Sequence, residues 1–132
     1  MPRFMLFIYP GASEQEYAAG PQLEEVEAMM RYNDELSKAG ALLAGDGLQP
    51  ETSIVRRDGV TDGPFSEAKE LVGGYWIIQA KDRAEAVAWA ARCPLGPKDF
   101  IEVRQMVDVG DLSEEIQAAV ATVEPGPEQT SA

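Results

Sequence analysis

Asp62-Gly63-Pro64-Phe65-Ser66-Glu67-Ala68-Lys69-Glu70-Leu71-Val72-Gly73-Gly74-Tyr75-Trp76 joins a tight turn to a strongly apolar strand. Gly63 precedes Pro64 and is pushed away from the helical region, while the fixed φ of Pro64 suits a turn or a helix start. Asp62 is expected to accept hydrogen bonds from the amides after it, as a turn or N-cap residue. A short helical turn over Ser66 to Glu70 follows, with Glu67 and Glu70 as near neighbours and Lys69 to one side. The Gly73-Gly74 pair permits a sharp turn or a close backbone approach. Tyr75 to Ala80 then reads as a strand with Tyr75 and Ile77 on one face, Trp76 and Ile78 on the other. Both faces are apolar, so both call for cover.

The same pattern recurs at the start of the chain. Arg3 to Tyr9 reads as a strand with Phe4, Leu6 and Ile8 on one face and Met5, Phe7 and Tyr9 on the other. Pro21 to Ala39 reads as a helix with an apolar stripe of Leu23, Val26, Met30 and Leu36, Met29 beside it, and Gly40 as its stop. Ala41 to Leu48 and Thr52 to Arg57 read as strands, the second entering a hairpin at Asp58-Gly59. Asp82 and Glu85 form a capping box for a second helix, with Ala84, Val87, Ala88 and Ala91 as its stripe of small residues. Phe100 to Val107 is the last strand, with Glu102 and Arg104 on one face. An amphipathic helix runs from Leu112 to Val123. The order predicts one α+β domain over residues 1–123, ferredoxin-like, with a mixed or antiparallel sheet and helices on one face. Residues 124–132, rich in Pro, Gly and Glu, read as a disordered tail. Two helices cover one sheet face only, so a second copy of the chain is the simplest cover for the other, making a homodimer.

Composition narrows the function. The chain has 132 residues, a formal net charge of −12, one cysteine and no histidine. Such acidity repels phosphate backbones and anionic lipid, so neither a nucleic acid nor a membrane is the expected partner. The first apolar run is too short for a signal peptide and no span of ~20 apolar residues exists, which predicts a cytoplasmic protein. One cysteine and no histidine argue against a zinc site and rule out Ser–His and Cys–His nucleophile pairs within the chain. No metal and no cofactor are expected.

"DGPFSEAKELVGGYW", the downstream "AEAVAWAARCPLGPKDFIEVRQM" and the upstream "YNDELSKAGALLAGDGLQP" together resemble the DGPF-type branch of the YCII-related family, over roughly Arg3 to Val107. The resemblance implies a ferredoxin-like unit paired into a dimeric α/β-barrel, a bacterial origin, and genes often beside extracytoplasmic-function sigma factors. In the wider family a His–Asp pair is the proposed active site. Asp62 matches the aspartate, and the histidine has no counterpart here.

Three functions are therefore expected to compete. The first is small-molecule binding in a cleft near Asp62, lined by Tyr9, Lys69, Tyr75, Trp76 and Arg104. The second is an acid–base enzyme, with Asp62 as base and Glu67 or Glu70 as acid. The third is an accessory partner of a sigma factor, implied by the resemblance alone. The same carboxylates also read as a turn cap and two solvated surface groups.

Overall fold

The computed structural model describes residues 1–11, 14–62 and 71–123. The helical turn expected at Ser66 to Glu70 and the tail over 124–132 lie outside these residues. Elements follow in the order β1 (Arg3–Tyr9), α1 (Glu14–Ala19), α2 (Leu23–Lys38), β2 (Leu42–Gly47), β3 (Ser53–Arg56), β4 (Gly59–Asp62), β5 (Gly74–Gln79), α3 (Arg83–Ala91), β6 (Phe100–Gln105) and α4 (Glu114–Val120). Four strands form one sheet in the order β2-β5-β1-β6, and β3 pairs with β4 in a separate two-stranded hairpin. Every pairing is antiparallel. Each helical crossover carries the chain past one intervening strand, so its two parallel strands are never adjacent. This is the α+β ferredoxin-like arrangement, resolved from the expected "mixed or antiparallel" to antiparallel throughout.

β1 lies at the centre, and its alternation sets the two faces. Phe4 and Leu6 are fully buried, packed with Trp76 and Ile78 beneath Tyr32 and Leu36 of α2 and Ala86 and Ala90 of α3. The buried stripe of α2 differs from the expected one. Tyr32 and Leu36 carry it, with Met29 beside them, whereas Leu23 and Met30 are exposed and Val26 just so. Only the part of this 16-residue helix from Met29 onward lies over the core. α3 is turned about its axis relative to the expected alanine stripe. Ala86, Ala90 and Cys93 face inward, while Val87 is exposed. An alanine-rich helix carries too weak a pattern to fix its own phase.

Local chemistry ends these elements where the residues dictate. Asp82 accepts from the Glu85 amide at 2.9 Å and starts α3. Gly40, at φ +73°, closes α2, with the Ala41 amide reaching back to the Leu36 carbonyl at 2.9 Å. Gly74 is packed where no side chain fits easily. A Cβ there would lie 3.1 Å from the Asp46 carbonyl oxygen and 3.3 Å from Ile8 Cγ2. The glycine pair thus admits the chain to the sheet between β1 and β2. Next to it, the Gly73 amide donates to the Ile8 carbonyl, and the Gly73 carbonyl accepts from the Leu48 amide, both at 2.8 Å.

α4 leaves much of its own apolar side open. It packs against the short 3-10 turn Val109–Asp111, and Ile116 and Val120 remain exposed. Among the described residues no helix is long and apolar enough to cross a membrane.

Candidate functional site

The second face of the sheet has no fully buried side chain. Met5, Phe7, Tyr9, Tyr75 and Ile77 are all half-buried there. The register sets Met5 beside Ile77 and Phe7 beside Tyr75 on one side of β1. On its other side Met5 faces Arg104, Phe7 faces Glu102 and Tyr9 faces Phe100. An apolar floor therefore runs along β1 and β5, and a polar border runs along β6.

The border is organised at one end. Tyr9 and Phe100 stack with ring centroids 4.6 Å apart and planes 10° from parallel. The Tyr9 hydroxyl donates to Glu102 Oε1 at 3.3 Å. Partial desolvation, and then the Glu102 carboxylate, raise the Tyr9 phenol above its ordinary value, while the positive charge of Arg104 opposes the shift. Asp99 braces this end from behind. Its two carboxylate oxygens accept from the amides of Gly11 at 2.9 Å and Gly96 at 2.8 Å. That clip ties the chain leaving β1 to the turn entering β6. Glu102 and Arg104, on one face of β6, form no ion pair with each other; the hydroxyl of Tyr9 engages Glu102 instead.

The expected lining residues are thus divided. Tyr9, Tyr75 and Arg104 share the second face. Trp76 lies on the covered face, 5% exposed. Its indole N–H donates to Asn33 Oδ1 at 2.7 Å and its ring meets Tyr32 edge-on at 5.5 Å. Strand alternation separates it from Tyr75, so it is a core residue and not part of a lining with the other three. Asp62 is the last residue of β4, exposed, and accepts from the Ser53 hydroxyl across the hairpin at 2.7 Å; the amides it was expected to cap lie outside the described residues. Glu67, Lys69 and Glu70 lie outside the described residues. Among the described residues no group of three or more Cys, Asp or Glu side chains is placed to hold a metal ion.

Three contributors escaped the sequence reading. Arg3 stands in phase with Met5, Phe7 and Tyr9, and that alternation is the signal that places it on the second face. Phe100 pairs with Tyr9 only through the register of β1 with β6, which no local pattern reveals. Asp99 follows the same logic for Gly11, which comes from the distant loop after β1, whereas Gly96 lies in its own turn. A separate open groove of about 390 Å³ lies on the helix side, between the C-terminal end of α2 and α3. Trp89 and Arg92 line it, with the Arg92 guanidinium 4.7 Å from the Trp89 ring centre and 2.6 Å from Glu35.

No curated protein matches the chain. The model of the YCII-related domain matches residues 3–110, a span that takes in all four strands of the main sheet, the hairpin and both covering helices. On that match the chain belongs to the YCII-related family.

Proposed function

We propose that this protein binds a small molecule on the second face of its sheet and works as a homodimer whose other subunit closes the cleft. The observation that carries the reading is the composition of that face. Half-buried Met5, Phe7, Tyr75 and Ile77 form an apolar floor beside the Tyr9–Glu102 pair and Arg104. Small-molecule sites combine such a floor with a few placed polar groups. An apolar sheet face of this extent in an acidic chain also favours self-association, which keeps it from water. Asp62 is exposed and held by Ser53, so the reading rests on the sheet and not on an acid–base role for that carboxylate.

Methyl-resolved NMR of the protein with labelled Met and Ile tests it. Binding of members of a fragment library is expected to shift the Met5 and Ile77 methyls while leaving Met29, on the covered side, in place. If no fragment moves Met5 or Ile77, the reading fails.

A further inference from the structure

The class of ligand follows from two arginines, granted that the second face is the binding face. β1 and β6 are registered so that Met5 lies opposite Arg104, and the Met106 amide donates to the Arg3 carbonyl at 2.8 Å. Arg3 and Arg104 are therefore diagonal neighbours across one antiparallel ladder, with Cβ atoms on the order of 7 Å apart. Both side chains are exposed, and Met5 stands between them on the same face.

Neither guanidinium forms an ion pair among the described residues, in a chain where 23 acidic residues outnumber 11 basic ones. Glu102, the carboxylate on this face nearest Arg104 along the strand, is engaged by Tyr9. Arg92 illustrates the contrast, since it meets Glu35 at 2.6 Å and lies over Trp89. Like charges on neighbouring positions of a sheet face repel. The planar donor fork of arginine matches a carboxylate in two parallel hydrogen bonds.

We infer that Arg3 and Arg104 jointly take the carboxylate of a small amphipathic acid whose apolar body lies on Met5, Phe7 and Ile77. The Tyr9–Glu102 pair stands two residues along the strand from Arg104, ~7 Å away. It is placed to receive a hydroxyl at the far end of such a ligand.

The test uses benzoate, 4-hydroxybenzoate and octanoate, each beside its amide, titrated into the protein at low salt by calorimetry with the Met5 and Ile77 methyls followed by NMR. At least one acid is expected to bind tenfold or more tighter than its amide, more weakly as salt is raised. 4-Hydroxybenzoate is expected to bind more tightly than benzoate. Arg3→Gln and Arg104→Gln should each lower the affinity for that acid at least fivefold and leave the amide unchanged. Equal binding of acid and amide at Met5 would overturn the inference while leaving small-molecule binding intact. If no acid or amide moves Met5 or Ile77, the inference falls; failure of the wider fragment library is what overturns the binding face itself. Should sedimentation show that the two substitutions weaken a dimer and leave acid binding unchanged, the arginines pair with carboxylates of a second copy and the inference is wrong.

Discussion

The two faces of the four-stranded sheet are built from the same strands and both carry apolar residues of β1 and β5, yet they differ in how their polar atoms are settled. On the covered face the buried polar tips find partners within the chain. The Trp76 indole N–H donates to Asn33, and the Tyr32 hydroxyl donates to the Trp89 carbonyl at 2.7 Å. Among the described residues no buried side-chain nitrogen or oxygen lacks a partner. On the second face Tyr9 and Glu102 satisfy each other, while Arg3 and Arg104 stay unpaired among the described residues. One face is finished by intramolecular packing, and the other is left with hydrogen-bonding capacity to spend on something else.

The sharpest way to break this contrast is to truncate neighbours that point in opposite directions. Phe4→Ala empties a fully buried site and should cost about 3–5 kcal/mol in urea unfolding. Met5→Ala, one residue on, should cost roughly 1 kcal/mol or less, as expected of a half-buried side chain. The proposed dimer adds a part to the Met5 penalty that grows with protein concentration; a Met5 penalty as large as that of Phe4 and independent of concentration would break the contrast.

A smaller effect tests the polar completeness of the covered side. Asn33→Ala leaves the Trp76 indole N–H without its acceptor and should cost ~1–3 kcal/mol, read from the same unfolding midpoint. Asn33→Asp keeps an acceptor and should recover part of that loss. Equal losses for the two variants would show that packing, not the hydrogen bond, is what Asn33 supplies.

A last effect, confined to alkaline pH and absent at neutrality, concerns Cys93. Burial, and then the charge of Asp99, push its thiol up to about 12 from an ordinary value of 9.0. The folded value is the higher one, so the neutral thiol contributes its full stability below about 9. That contribution is lost as pH rises from there toward about 12. Burial raises Tyr32 as well, in the same sense. Cys93→Ala should therefore flatten only part of the alkaline fall in unfolding free energy. An unchanged curve would place the thiol's environment in error.

How much of this was legible beforehand depends on the kind of pattern. The alternation in Arg3–Tyr9 and Tyr75–Gln79 has a period of two and leaves no ambiguity, so both faces of the central strands could be read directly. Helix phase was harder. The apolar run of α2 extends past the sheet, so Leu23 and Met30 look like core residues and are exposed. In α3 the alanines fit several stripes equally well. The site is a property of register, and register is non-local. Tyr9 meets Phe100 and Glu102 because β1 pairs with β6, and Arg3 comes near Arg104 for the same reason. Asp62 is non-local in the same way, since its pairing with Ser53 across the hairpin follows from the strand register and not from its glycine-proline context.

The central position of β1 also bears on how the molecule is made. Leu6 must find Trp76 on one side and Val103 on the other, both far later in the chain. A ribosome releases β1 well before either partner exists. Phe4 and Leu6 must then wait in the open, through most of translation, for the strands that will enclose them. Folding dominated by such distant pairings is slow, and unpaired apolar strands invite capture by other nascent chains. The strand that anchors the finished sheet is thus the first made and among the last to be enclosed.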